Sequence, residues 1–313
     1  MNIKHLLRIA ALVAVLFSIT IQNTSAANDN LTQYVNQYIG TGGHGHTVMG
    51  ANAPFGLVIV GPTEPLRGWD WTSGYHYSDN EIIGFGHMHL SGTGIGCLGD
   101  IALLPVSNPD QRSTFFTHDN ERMHPGYYSL RLTDPDVLVE LTATKRCAMH
   151  RYTFGKGAKQ QLALDLSQCI GWDTPTDCML SQESPTRLIG YRRSTGWAKD
   201  RRIYFAMEFS RPVYVERSDS MYRALLSFNS LDTPLIVKVS LSPVEPDKAK
   251  ANMQFEMPGW DFNAVVSKVD DEWNTQLSRI QIDTKDNTRR RIFYTAMYHL
   301  MTCLLYTSPS PRD

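Results

Sequence analysis

"IYFAMEFSRPVYVERSDSMYRALLSFNSLDTPLIVKVSLS" (203–242) holds four apolar runs, 203–209, 211–217, 222–228 and 234–242, rich in β-branched and aromatic residues. In the first, Ile203, Phe205, Met207 and Phe209 alternate with Tyr204, Ala206 and Glu208, the period of a half-buried strand. Similar runs recur upstream at 127–132, 137–144, 150–154 and 161–166, again separated by turn residues. Many antiparallel strands without intervening helices predict a β-sandwich, here a large one occupying 28–257.

Beyond it the period changes. In "GWDFNAVVSKVDDEWNTQLSRI" (259–280), Phe262, Val265, Val266, Val269 and Trp273 recur at helical spacing, with Asp270, Asp271 and Glu272 on the other face. A short strand is expected at "RIQID" (279–283). In "TRRRIFYTAMYHLM" (288–301), Ile292, Phe293, Ala296, Met297, Leu300 and Met301 form a wide apolar stripe that needs partners. A helical segment is therefore expected over 258–302. The Ser-Pro-rich end, 303–313, abandons that period and reads as a non-native tail resembling translated adapter sequence.

At the other end, Lys4 and Arg8 precede an apolar run, Ile9 to Ile21, and a small-residue cleavage site around Ala26 and Ala27. This reads as a secretory signal over 1–27, its apolar run being short of the roughly 20 residues that span a bilayer. The expected location is secreted or periplasmic, with no membrane attachment after cleavage. A formal net charge of −1 argues against nucleic acid as a partner, because phosphate binding needs a basic face. The five cysteines, Cys97, Cys147, Cys169, Cys178 and Cys303, show no zinc-type spacing. Cys169 and Cys178 could close a small loop in an oxidising compartment, and isolated buried thiols are the alternative.

Three clusters carry chemistry: "GTGGHGHT" (40–47) with His44 and His46, "GWDW" (68–71) with Asp70 between two indoles, and "GHMHLSGTG" (86–94) with His87 and His89. On strands, each His-x-His pair would point two imidazoles to one face, as transition-metal ligands do, although no nearby carboxylate completes such a site. Sugar is the second reading. A pyranose has a flat C–H face that stacks on an indole and hydroxyls that need fixed polar partners, and glycines allow close backbone approach. Trp69 is the expected stacking ring, with Trp71 second. Asp70, His44, His46, Tyr75 and His89 are candidate hydroxyl partners or loop-fixing residues, and His87 a loop-holding one. The competing expectation is that both tryptophans are core, since alternate residues on a strand share a face.

At these residues the sequence resembles glycoside hydrolase family 92, the exo-acting α-mannosidases. The matching passages are "VNQYIGTGGHGHTVMGANAPFG" (35–56), "SGYHYSDNEIIGFGHMHLSGTG" (73–94), "GDIALLPV" (99–106), "GWAKDRRIYFAMEFSRP" (196–212), "PGWDFNAV" (258–265) and "RIFYTAMYH" (291–299). The resemblance implies an N-terminal β-sandwich, a helical linker and an (α/α)6 barrel of which only the start is present. It also implies inverting, calcium-dependent hydrolysis of mannose-containing glycans in a pocket between the two domains. The family's acid and base, and most of its calcium site, belong to the barrel, so no catalytic residue and no metal ligand is assigned here. The sandwich loops would then form part of the mannose pocket. A stand-alone carbohydrate-binding module and a metal-dependent hydrolase built on the two His-x-His pairs are the competing classes.

Overall fold

Alternation along the chain becomes two stacked antiparallel sheets. The computed structural model describes residues 30–218 and 220–302, so the expected export signal at 1–27 and the tail at 303–313 lie outside the described residues. The seven-stranded sheet runs, in spatial order, Ala51–Asn52, Ile59–Thr63, Gly84–Gly86, Ala102–Pro105, Gln161–Asp165, Arg223–Phe228 and Val213–Arg217. The eight-stranded sheet runs Thr174–Ser184, Arg187–Thr195, Arg201–Phe209, Leu235–Ser242, Cys147–Phe154, Val137–Ala143, Tyr127–Leu132 and Glu121–His124. All eight apolar runs singled out in the sequence lie on these strands.

The core lies between the sheets. Val60, Phe85, Leu103, Leu162 and Leu226 from one meet Tyr128, Val139, Tyr152, Phe205 and Val237 from the other. Ile203, Phe205, Met207 and Phe209 are buried as their alternation predicts. Ala206, on the opposite face, is buried too, beneath Met253 and Met257. That second cover comes from helix α1, Pro246–Glu256, which the sequence pattern did not announce because it buries only Ala249 and Met253.

Helix α2 spans Phe262–Leu277 and helix α3 Asn287–Met301. Each starts on an aspartate cap: Asp261 accepts from the Ala264 N–H, and Asp286 from those of Thr288 and Arg289. Helix α2 buries Phe262, Val269, Trp273 and Leu277, on the expected stripe. Two expectations need correction. The segment 279–283 pairs with no strand among the described residues; its Ile282 instead packs against the cluster of Leu31, Leu277 and Tyr294. The buried face of α3 is Tyr294, Thr295, Met297 and Tyr298, whereas Ile292, Ala296 and Leu300 are exposed. The helix is rotated because Tyr298, an amphipathic ring with a polar tip, reaches Asn52 in the sandwich while Tyr294 stacks on Tyr34.

Asn52 joins these parts. Its carbonyl accepts from Trp273 Nε1 at 2.7 Å, and its side-chain Oδ1 accepts from Tyr298 Oη at 2.7 Å. One residue of the first sheet's end strand thereby holds both α2 and α3. Among the described residues no helix is long and apolar enough to cross a membrane. Cys97, Cys147, Cys169 and Cys178 are free thiols, and Cys178 Sγ donates to the Met221 carbonyl.

Candidate functional site

The segment 68–71 is no strand but one turn of 3₁₀ helix, Trp69–Trp71, so its two indoles diverge. Trp69 is 56% exposed. Its Nε1 donates to the Gly94 carbonyl at 2.9 Å. Gly94 sits at φ +62°, and a Cβ there would come 2.9 Å from the indole. Only glycine lets the 86–94 loop lie this close under Trp69. Trp71 turns the other way, stacks on His76 at 4.3 Å, and donates through Nε1 to Asp79 at 3.0 Å. Asp79 also binds Arg67, which clamps the ends of the 67–79 loop together.

The 40–47 loop closes over Trp69 from the other side. His46 presents its ring edge to the indole, with centroids 4.1 Å apart, and its Nδ1 bonds Thr72 Oγ1 at 2.9 Å. Its Nε2 is buried and has no hydrogen-bond partner among the described residues. His44, with a side chain 77% exposed, donates through Nδ1 to Asp70 Oδ1 at 2.6 Å, and its ring lies 5.5 Å from that of Trp69. The His46 carbonyl accepts from Gly92 N–H at 2.7 Å, which ties this loop to the 86–94 loop. His44, His46, Trp69 and Asp70, from two separated segments, thus form one rim.

Tyr75 and His89 sit deeper. Tyr75 is buried, and its hydroxyl donates to Glu121 Oε2 at 2.9 Å. His89 is fully buried, with Nδ1 on the Ile59 carbonyl and Nε2 on Thr63 Oγ1, both at 3.0 Å. Both ring nitrogens are occupied, so His89 fixes the loop and has nothing left for a ligand. His87 is committed as well. Its Nδ1 donates to the Ile101 carbonyl, which makes Nε2 the acceptor for His150 Nε2–H at 2.8 Å. His150 Nδ1 then accepts from Tyr152 Oη at 2.8 Å. Burial pulls His87 down to about 4, and burial followed by His87 pulls His150 well below the ordinary histidine range. Nothing in this chain of neutral rings converges on a cation site. Among the described residues no group of three or more His, Cys, Asp or Glu could hold a metal ion.

The sequence reading missed the groups that make this region rigid. Glu121 accepts from Tyr75, Tyr128 and His118 within 2.7–2.9 Å and from Tyr38 at 3.3 Å, so one buried carboxylate anchors four aromatic rings. Asp100 bonds Arg192 Nη1 at 2.6 Å and Arg201 Nη1 at 2.7 Å, and Asp173 joins both arginines. Burial alone would raise Asp100, but Arg201 and Arg192 outweigh it and hold the carboxyl below its ordinary value. Glu64 goes the other way. Burial pushes it up to about 9, so it is a neutral acid at pH 7 that accepts the His76 N–H. No spacing along the chain reveals Glu121 or the Asp100 network, whose members are far apart in sequence.

The arrangement is a ring-lined, polar-rimmed surface on rigid loops over a sandwich. Residues 34–242 match the glycosyl hydrolase family 92 N-terminal domain, and 248–306 match the family's catalytic domain. The chain belongs to glycosyl hydrolase family 92. It is similar to a family GH92 α-mannosidase of Bacteroides thetaiotaomicron, with 30% identity and a TM-score of 0.80 over 87% of this chain and 41% of that one. That relative has also been solved in complex with mannoimidazole. A family GH92 inverting mannosidase of the same organism, 22% identical over 87% of this chain and 39% of its own, shares the fold at a TM-score of 0.73. An uncharacterized secreted glycosidase of Arthroderma benhamiae is 24% identical over 91% of this chain and 42% of its length. The chain thus spans about two fifths of the relatives it matches.

Proposed function

We propose that this chain is the sandwich part of an exported, inverting exo-α-mannosidase and supplies one wall of its mannose pocket. The observation that carries the proposal is Trp69, a half-exposed indole locked to Gly94 and edged by the His44–Asp70 pair. The C–H face of a mannose ring stacks on the indole, and the exposed His44 imidazole and the Asp70 carboxylate meet its hydroxyls. Mannoimidazole bound to a relative of the same fold supports mannose as the sugar. The secreted relative supports export. Within the mechanism this wall binds, orients and excludes water; it moves no proton.

Inversion needs a carboxylic acid at the leaving oxygen and a carboxylate activating water on the opposite face, roughly 6.5–9.5 Å apart. On this reading both belong to the catalytic domain beyond 302. Calcium belongs to the proposal as the family's implied ion. The described residues offer no cluster that fits it, so no step is assigned to it here. The protein encoded by the complete gene should hydrolyse an aryl α-mannoside, lose activity on chelation and regain it with calcium. Residues 28–313 alone should not turn over. Proton NMR should find β-mannose as the first product of an α-mannoside; α-mannose appearing first would overturn the inverting assignment.

A further inference from the structure

Outside the rim stands a second aromatic surface. Trp172 and Trp197 are 59% and 70% exposed and stack on each other, with centroids 6.4 Å apart and planes 19° from parallel. They come from different connections, the one after Gln161–Asp165 and the hairpin between Arg187–Thr195 and Arg201–Phe209. Exposed indoles in pairs lose the benefit of burial and call for an occupant.

Both platforms hang on one loop. Trp69 donates to the Gly94 carbonyl, and the backbone N–H of Trp172 donates to the Gly96 carbonyl at 3.1 Å. Two residues span at most about 7 Å, so the two anchor points are close neighbours. On the side of Trp197 and Arg201 opens a largely apolar groove of about 540 Å³, lined also by Met88, Leu90, Thr93 and Ile95. The second platform has its own foundation. Asp173, next to Trp172, and Arg201 are both locked in the network with Asp100 and Arg192.

The surroundings of the indoles choose the occupant. Trp197 stands among exposed Lys199 and Asp200, and Asp200 pairs with Arg193 and Arg202 in contact with water. The centre of a protein–protein contact is depleted of such charges. A hydrated ligand with flat apolar faces and hydroxyl edges suits them. We infer that Trp172 and Trp197 form a second sugar platform, binding a saccharide unit of the same glycan farther along the chain than the one on Trp69. The inference rests on the sugar reading of Trp69. It makes the protein selective for oligosaccharides over simple mannosides.

The test uses the protein encoded by the complete gene and two ligands, methyl α-mannoside and a non-hydrolysable thio-linked mannotetraose, with binding followed by calorimetry. Trp172→Ala and Trp197→Ala should each weaken the tetrasaccharide about tenfold, a factor typical of stacking on one aromatic ring. Methyl α-mannoside affinity and melting temperature should stay unchanged, and Trp197→Tyr should keep most of the tetrasaccharide affinity. Unchanged tetrasaccharide binding, or equal loss for both ligands, would overturn the inference. So would a lowered melting temperature in either alanine variant, which would show the indoles covered by protein. Trp69→Ala separates the two readings, because it should weaken both ligands. If Trp69→Ala does so while Trp172→Ala and Trp197→Ala do nothing, only the second platform fails. If neither ligand binds the parent protein, the mannose reading fails and this inference with it.

Discussion

His44 and His46 in the 40–47 loop and His87 and His89 in the 86–94 loop share one spacing but not one environment. His44 reaches water and pairs with Asp70; His87 and His89 are sealed in the floor, each nitrogen spent on a carbonyl, a hydroxyl or another imidazole. The rim keeps polar atoms available for a ligand. The floor consumes them to hold the loops still. A motif read from spacing alone therefore says little until burial divides its members, and the two regions should fail differently when altered.

The largest effect belongs to the floor. Asp100→Asn leaves Arg192 and Arg201 sharing Asp173 as their remaining carboxylate partner in the buried network, and breaking a buried pair this way costs about 3–5 kcal/mol. Urea unfolding at pH 7 should show that loss, and a change within experimental error would mean the network is dispensable.

Next comes acid. His87 is depressed in the folded state, so the stability it contributes is complete above about pH 6.5 and falls as pH drops toward 4. By linkage the loss approaches about 3 kcal/mol over that window. His87→Asn should be less stable than the parent at pH 7, and the gap should narrow as pH falls to 4.5. A gap that stays constant would break the contrast between a neutral buried floor and a wet rim.

The rim should respond in kinetics and spare stability. Trp69→Ala is expected to cost about 1–3 kcal/mol in kcat/KM toward mannosides, with little change in melting temperature. Normal kinetics with a large fall in melting temperature would make Trp69 a packing residue. The smallest effect is His44→Ala, which should lower activity by less than about 1 kcal/mol, the scale of an exposed pair. Neither limb of the pH–rate profile should disappear if, as proposed, His44 only contacts the sugar.

The sequence revealed the fold where alternation was strong. Ile203, Phe205, Met207 and Phe209 announced their strand, and Trp273 its helix. The hairpin Thr174–Ser184 with Arg187–Thr195 stayed hidden because it mixes polar and apolar residues on both faces, and α1 because it is largely polar. At the site, composition drew attention to Trp69, Asp70 and His44 because indole, carboxylate and imidazole crowd into glycine-rich loops, and the structure sets the three side by side. The sequence reading ranked Trp69 ahead of Trp71 as the stacking ring, but the 3₁₀ turn that makes the two indoles diverge has no signature in that short stretch. Glu121 and Arg192 gave no local signal. Their partners lie tens of residues away, and only the closed sandwich brings them together.

Asn52 has a consequence for solubility. It lies on the end strand of the seven-stranded sheet, where unpaired backbone groups would invite another chain to add a strand and start aggregation. Here the Asn52 carbonyl is taken by the Trp273 indole, and the Phe55 N–H, just past the strand, by the Met301 carbonyl. The far edge of the same sheet, Val213–Arg217, defends itself differently, with exposed Tyr214, Glu216 and Arg217. One edge is plugged by helices and the other is guarded by polar and charged side chains, so the helices also act as a built-in safeguard against edge-to-edge polymerisation.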